Sequence, residues 1–134
     1  LDPIKGANLI YGSYDARLTP SAIRQEGSDE IFLLSYAMIR KFRDSYFQGD
    51  VDKSLPDVSP IQGDLRGMPP ALFTVGTRDL LLDDSLFMYG RWLSYGSNAE
   101  IVIVPGADHA FNAFPSETTT SVENKISEFV KSVL

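Results

Sequence analysis

Two apolar runs in the second half of the chain have the residue pattern of buried strands. One occupies 71–75 and ends at Gly76, and the other occupies 101–104 and ends in a proline-glycine pair. An earlier run at 7–11, also followed by a glycine, has the same character. Short, nearly continuous apolar runs rich in β-branched and aromatic residues are typical of strands buried on both faces. The pattern therefore predicts three strands of a parallel sheet.

Between the first two strands, apolar residues recur every three or four positions, which predicts helices. A short helix is predicted from Thr19, a capping residue followed by proline, to Gly27. A longer helix is predicted to begin at Ser28. Its buried face would carry Ile31, Leu34, Met38 and Phe42. Further aromatic residues widen that face, so the helical segment 19–47 has two interpretations: a core-facing element, or a lid or acyl-pocket element that faces a ligand.

Helices are also predicted on either side of the third strand. Asp83 or Asp84 is expected to cap a helix that runs to about Tyr95 and stops at Gly96. A last amphipathic helix is predicted at 118–134. The order strand, helix, strand, loop, helix is a βαβ unit followed by a covering helix. This order predicts an α/β fold with a parallel sheet.

Composition limits the chain to one apolar core and argues against several kinds of partner. The 134 residues are 43% hydrophobic, which suits a single soluble domain. A net charge of −6 disfavours a nucleic-acid partner, which needs a basic surface. One histidine, no cysteine and the lack of EF-hand spacing among the aspartates of the 48–68 loop argue against a metal site.

Targeting and membrane signals are absent from the sequence. No apolar run reaches the roughly 18 residues of a membrane span, and no charged-then-apolar leader opens the chain. The sequence thus predicts no membrane span. It does not determine the cellular compartment, although the lack of cysteine favours the cytoplasm.

The residues that follow the second and third strands suggest a site at one edge of the sheet. Asp79 follows the second strand, and His109, the sole histidine, follows the third. Open α/β folds place their chemistry at the carboxyl ends of the strands, so the two side chains are expected to meet there. A carboxylate behind an imidazole stabilises its charged form, as general base catalysis requires. Other interpretations are a solvated surface histidine, an aspartate that serves its own turn, and Asp108 as a competing partner.

Several motifs, in order along the chain, resemble those of the hormone-sensitive-lipase-like branch of the α/β-hydrolases. PPALFTVGTRDLLLDD is similar to that branch's PPA, strand, glycine and D-x-L-x-D pattern, with Asp79 and Asp83 in place. PGADHAF is similar to its G-x-x-H-x-F turn around His109. The loop before the PPA strand and the strand after the nucleophile helix have counterparts at 57–60 and 7–15. The resemblance spans nearly the whole chain.

This resemblance implies a fold, an activity and a role for each matched residue. It implies that 1–134 are the C-terminal part of an α/β-hydrolase domain, with the activity of a carboxylesterase or lipase that forms a serine acyl-enzyme. Asp79 would be the triad acid. His109 would be the general base that takes a proton from the serine and returns it to the leaving alcohol. Asp83 would cap a helix, no cofactor is implied, and the substrate would be a small-molecule ester.

Two parts of that machinery are missing from the sequence. The branch carries its nucleophile in a G-x-S-x-G elbow and its oxyanion hole in an HGGG-type loop. No serine here is flanked by glycines two residues away on both sides, and Ser13, the nearest approach, lacks the second glycine. Because the triad runs serine, aspartate, histidine along the chain, we expect the serine before Leu1 and an incomplete domain that is inactive alone.

An incomplete sheet would have consequences for association and leaves a second function open. A sheet uncovered on one side would expose apolar surface through which the chain could self-associate. The alternative function is a non-catalytic binding or interaction module, because the same fold also serves in binding proteins.

Overall fold

The computed structural model describes residues 4–28 and 33–134. Within these ranges the strands are β1 (Ala7–Ile10), β2 (Ala71–Gly76) and β3 (Ala99–Val104). They form a parallel sheet in the order β1, β2, β3, so β2 is hydrogen-bonded on both sides. The three predicted strands and the parallel α/β class are confirmed.

Helices connect and cover the strands. In the described part of the chain they are α1 (Pro20–Ile23), α2 (Tyr36–Tyr46), α3 (Leu82–Ser94) and α4 (Glu117–Val133), with 3₁₀ turns at Pro60–Gln62 and Phe111–Ala113. Serine side chains begin the second and fourth helices: Ser35 accepts from the Met38 N–H, and Ser116 accepts from the Thr119 N–H. Gly96, in the left-handed region at φ +83°, follows α3 as predicted. None of the helices in these ranges is long and apolar enough to cross a bilayer.

The main core lies where α3 packs on β2. All six residues of β2 are buried, and the Phe73 ring meets the rings of Tyr14, Tyr89 and Trp92 in edge-on contacts with centroids 5.7–6.2 Å apart. The Trp92 indole N–H donates to the Pro69 carbonyl at 2.9 Å, which satisfies its buried polar group. This packing fixes α3 against the sheet and so fixes the turn that leads into it.

A second apolar cluster joins the helical segment after β1 to the turn after β2. Ile39 of α2 and Leu34 pack with Ala22, Leu80 and Leu81. The last two belong to the turn that carries Asp79. The described parts of the segment 19–47 are therefore in contact with the edge of the sheet where the candidate site lies.

The predicted start of the longer helix is wrong, and so is the predicted burial of two of its residues, whereas Leu34 is buried but precedes the helix. The helix begins at Tyr36, after the extended residue Ser35, and Ile31 lies outside the described residues. Met38 and Phe42 are 41% and 58% exposed, whereas Ile39 is buried. Apolar residues lie on several sides of this helix, and contact with the second cluster decides which of them is buried.

Two predicted caps also differ. α1 is one turn long, and the Thr19 side chain makes no capping bond there. The residue that precedes α3 is Leu81, and Asp83 and Asp84 lie in its first turn. The side chains of Thr19, Asp83 and Asp84 instead form hydrogen bonds with other parts of the chain. A buried carboxylate needs hydrogen-bond donors, and for Asp84 the chain after β1 supplies them.

Two glycines provide a matched test of the packing between the turns after β2 and β3. A Cβ on Gly76 would fall 2.6 Å from the Ala107 carbonyl carbon and closer still to its oxygen, whereas a Cβ on Gly90, in α3, meets nothing within 4 Å. We expect Gly76→Ala to lower the free energy of unfolding by about 1–3 kcal/mol, because backbone must move. Gly90→Ala should raise it by about 0.5–1 kcal/mol. Urea unfolding measures both, and equal effects would contradict this packing.

The core tyrosine gives a pH-dependent prediction. Burial first, and then the charge of Asp84, raise the pKa of Tyr14 from 10.0 to about 12. Since the folded pKa lies above the unfolded one, this contribution to stability is complete below about pH 10 and is lost as the pH rises to about 12. The loss would amount to about 3 kcal/mol. Urea unfolding across that range should show a shallower decline for Tyr14→Phe and an unchanged one for Tyr46→Phe, whose side chain is exposed.

Candidate active site

Asp79 lies in the turn that follows β2, and its carboxylate is fully buried. One oxygen, Oδ1, accepts from the Leu81 backbone N–H at 2.9 Å, which fixes the side chain within its own turn. The other oxygen, Oδ2, lies 2.9 Å from Nδ1 of His109. Each oxygen thus has a partner, and the carboxylate is directed at the imidazole.

His109 lies in the turn that follows β3, and its side chain is 22% exposed. Gly106 at φ +70° precedes it and Ala110 at φ +58° follows it, and both are in the left-handed region. These residues turn the chain back over the end of the sheet, so the imidazole meets the carboxylate of the neighbouring turn. The structure therefore brings together the two side chains that the sequence singled out.

Backbone contacts hold the two turns together. The Thr77 N–H donates to the Val104 carbonyl at 3.0 Å, and the Arg78 N–H donates to the Ala107 carbonyl at 3.0 Å. The Arg78 guanidinium also donates to the Asp108 carboxylate at 3.0 Å. Asp108, the alternative partner for the histidine, is therefore engaged by Arg78.

Tyr11 and Asn112 are part of this site, and sequence reasoning missed them. Tyr11 follows β1, and its ring lies against the His109 ring with centroids 4.5 Å apart and planes tilted by 58°. Its hydroxyl donates to Oδ1 of Asn112 at 2.7 Å. The available signal was the position of Tyr11 at the end of the first apolar run, at the same sheet edge as the other two side chains.

Asp84, at the start of α3, forms hydrogen bonds with the part of the chain that follows β1. Its carboxylate accepts from the N–H groups of Tyr14 and Asp15, at 2.6 and 2.9 Å, and from the Thr19 hydroxyl at 2.6 Å. The side chain is buried, and this burial raises the pKa of its carboxyl, although the three donors act in the opposite direction. Three hydrogen bonds compensate for the loss of water around the group.

Ser21 and Asp83 form a second set of hydrogen bonds, beside the turn that carries Asp79 (the acid turn). The Ser21 N–H donates to the Asp83 carboxylate at 2.7 Å, and the Ser21 hydroxyl donates to the Leu80 carbonyl at 2.7 Å. The prediction that Asp83 caps a helix is wrong, because its carboxylate accepts from a residue 62 positions away. It holds α1 against the turn that carries Asp79.

A cavity of about 720 Å³ lies between α2 and the segments that follow β1 and precede β2. Its apolar wall includes Leu18, Ile39, Phe42, Val58 and Leu81. Neither Asp79 nor His109 lines it, although Leu81 connects it to the acid turn. Among the residues that the structure describes, no three histidine or acidic side chains lie close enough together to hold a metal ion.

A family model described as alpha/beta hydrolase fold matches residues 1–113 of the chain. The chain belongs to the alpha/beta hydrolase fold family. An esterase of Acinetobacter venetianus is 37% identical over 80 residues, which are 60% of this chain and 26% of that protein. Family membership agrees with the order of motifs that the sequence presents around its aspartate and histidine.

Solved structures of the alpha/beta hydrolase fold superpose closely on the chain. A hyperthermophilic esterase from the archaeon Pyrobaculum calidifontis gives a TM-score of 0.87 at 27% identity, over 98% of this chain and 45% of its own. A hormone-sensitive lipase from a metagenome library gives 0.84 at 25% identity, over 97% of this chain and 45% of its own. The chain thus spans about a quarter of the curated relative and less than half of these structures. The resemblance to the hormone-sensitive-lipase-like branch is confirmed.

The bonds to Asp84 predict a large effect on stability. Asp84→Ala would leave two buried N–H groups without an acceptor and would remove the short bond from the Thr19 hydroxyl, so we expect the free energy of unfolding to fall by about 2–4 kcal/mol. Asp84→Asn keeps an acceptor oxygen and should have less than half that effect. The matched control is Asp64→Ala, which removes an exposed ion pair with Arg66 and should change stability by about 0.5 kcal/mol or less. Similar losses in the free energy of unfolding for Asp84→Ala and Asp64→Ala, measured with urea, would contradict the stabilising role of the hydrogen bonds to Asp84.

Proposed function

We propose that the chain is part of a carboxylic ester hydrolase that works through a serine acyl-enzyme. Asp79 is the triad acid, His109 is the general base, and the serine and the oxyanion loop lie outside these 134 residues. The observation that carries the proposal is the 2.9 Å contact between Nδ1 of His109 and Oδ2 of the buried Asp79. The esterases among its relatives support the reaction class.

The geometry suits a base that must take up and return a proton. With Nδ1–H donated to Asp79, the other ring nitrogen, Nε2, keeps its lone pair. Nε2 removes the serine proton as the serine oxygen bonds to the ester carbon, and it protonates the alcohol oxygen as the carbon-oxygen bond of the tetrahedral intermediate breaks. Water then attacks the acyl carbon of the acyl-enzyme as Nε2 removes its proton. Nε2 returns that proton to the serine oxygen as the bond between the serine and the acyl carbon breaks, which releases the acid. The buried Asp79 stabilises the imidazolium in each step.

The sheet suggests where the serine would enter. The His109 ring extends past the end of β2 and contacts Tyr11, at the end of β1. In the described ranges the other edge of β1 pairs with no strand. A strand added there would end at the same edge of the sheet and would bring a serine towards the imidazole.

The cavity beside α2 suggests the part of the ester that this chain would contact. Its wall is largely apolar, and the same helix packs through Ile39 on the acid turn. The segment 19–47 would serve as a lid-like element that receives an apolar acyl or alcohol group. The substrate class is thus a small-molecule ester with an apolar substituent.

The proposal is tested by labelling with a fluorophosphonate, which captures activated serines. We expect labelling of the protein expressed from its complete reading frame and none of the 134-residue chain alone. In the complete form His109→Ala should slow labelling by about 10³-fold or more, and Asp79→Asn by about 10²–10⁴-fold. Asp64→Asn, which changes an exposed carboxylate in the loop before β2, is the matched control and should label at the normal rate.

Two results would overturn parts of the proposal. Labelling of the short chain on one of its own serines would show that the nucleophile lies within it. A complete protein that is folded but is not labelled would favour the non-catalytic binding module instead.

A further inference from the structure

We infer that Tyr11 is a positioning residue for His109 and that Asn112 holds Tyr11 in place for this role. The inference rests on the proposed function, because it assigns both residues a part in the same reaction. Neither residue is in the acid turn, and neither contacts Asp79 through a hydrogen bond that the structure records. Their effect on the reaction would pass through the orientation of the imidazole.

The His109 ring needs a second contact to be fixed. Its bond to Asp79 holds one ring atom, Nδ1, at 2.9 Å, and a single hydrogen bond leaves the ring free to tilt about that atom. The side chain is also partly exposed, so close packing on all sides does not confine it. The Tyr11 ring, 4.5 Å away and tilted by 58°, contacts the imidazole from β1, whereas Asp79 approaches from β2. Two contacts from different strands set the direction of Nε2.

Tyr11 is itself held by the turn that carries the histidine. Its hydroxyl donates to Asn112 at 2.7 Å, and its ring meets the edge of Phe111 with centroids 6.3 Å apart. Tyr11 thus contacts three of the four residues at 109–112. Burial first, and the charge of Asp79 second, raise the pKa of Tyr11, so its hydroxyl remains a donor at neutral pH. Tyr11 is therefore held by the same turn whose histidine it contacts.

The backbone supports a role beyond packing. Among the described residues, those other than glycine in the left-handed region are Tyr11, Leu18 and Ala110. Such a conformation is unfavourable for a residue with a side chain, because its Cβ lies too close to the following carbonyl oxygen. Two of the three belong to this cluster: Tyr11 contacts His109, and Ala110 follows it. Strain of this kind concentrates where surrounding contacts hold a functional geometry, and here it aims the tyrosine ring at the imidazole.

A positioning role and a purely structural role predict different results on substitution. A structural tyrosine, once replaced, would lower stability and leave the rate of the folded protein unchanged. A positioning tyrosine would lower kcat with little change in KM, because misdirection of a catalytic group by about 1 Å costs on the order of 10²-fold in rate. The ring should matter more than the hydroxyl, since the ring touches the imidazole.

The kinetic experiment uses the protein expressed from its complete reading frame and a p-nitrophenyl ester. We expect Tyr11→Leu to lower kcat by about 10- to 100-fold with KM within about threefold. Tyr11→Phe and Asn112→Ala, which remove the hydrogen bond and keep the aromatic ring at position 11, should each lower kcat by about two- to fivefold. Tyr95→Leu is the matched control, because Tyr95 follows α3 at the opposite edge of the sheet, and it should keep the normal kcat.

A second readout needs no activity. In ¹⁵N-histidine-labelled protein, the proton on Nδ1 of His109 should give a downfield resonance, which His109→Ala assigns by removing it. Tyr11→Leu should broaden or abolish this resonance, and Tyr11→Phe should retain it. A complete protein that hydrolyses no ester would overturn the proposed function, and the resonance would still test the contact between the rings.

The inference is overturned if folded Tyr11→Leu keeps the normal kcat, or if its Nδ1 proton remains as sharp as in the wild type. Melting temperatures show whether each variant is folded. If Tyr11→Leu does not fold, Tyr11→Phe and Asn112→Ala test the inference instead, because a normal kcat in both would overturn the claim that Asn112 holds the Tyr11 ring in place for the reaction.

Discussion

The parallel register between β2 and β3 is the constraint on which the rest of the structure depends. Gly76 is paired with Val104, so the two strands end at the same level, and the turns that follow them lie side by side. The lack of a side chain at Gly76 lets the Ala107 backbone approach closely. Thr77 then bonds to the end of β3. A shift of one residue in this register would separate the aspartate turn from the histidine turn.

Each strand contributes one side chain to the candidate site, and each is held by a different kind of contact. Asp79 comes from β2 and is fixed by a backbone N–H in its own turn. His109 comes from β3 and is bound by that carboxylate. Tyr11 comes from β1 and contacts the imidazole through its ring. Because adjacent parallel strands end at one edge, three residues that are far apart in sequence meet without a long loop to bring them together.

Two further carboxylates join the helical segment after β1 to the same edge. Asp84 binds the backbone at Tyr14 and Asp15, and Asp83 binds Ser21. Since α2 also packs on Leu80 and Leu81, the wall of the apolar cavity and the acid turn are parts of one packed unit. A change in the position of α2 would therefore be transmitted to Asp79 through direct contacts.

The sequence by itself determined the strands, their parallel arrangement, the stop at Gly96 and the pairing of Asp79 with His109. These features depend on local residue pattern and on the turns that end each strand. Only the tertiary structure decided which face of α2 is buried, what Asp83 and Asp84 bind, and that Tyr11 contacts the histidine. Those contacts join residues that are far apart in sequence, such as Ile39 and Leu80 or Tyr11 and Asn112, and packing selects them from many side chains of similar chemistry.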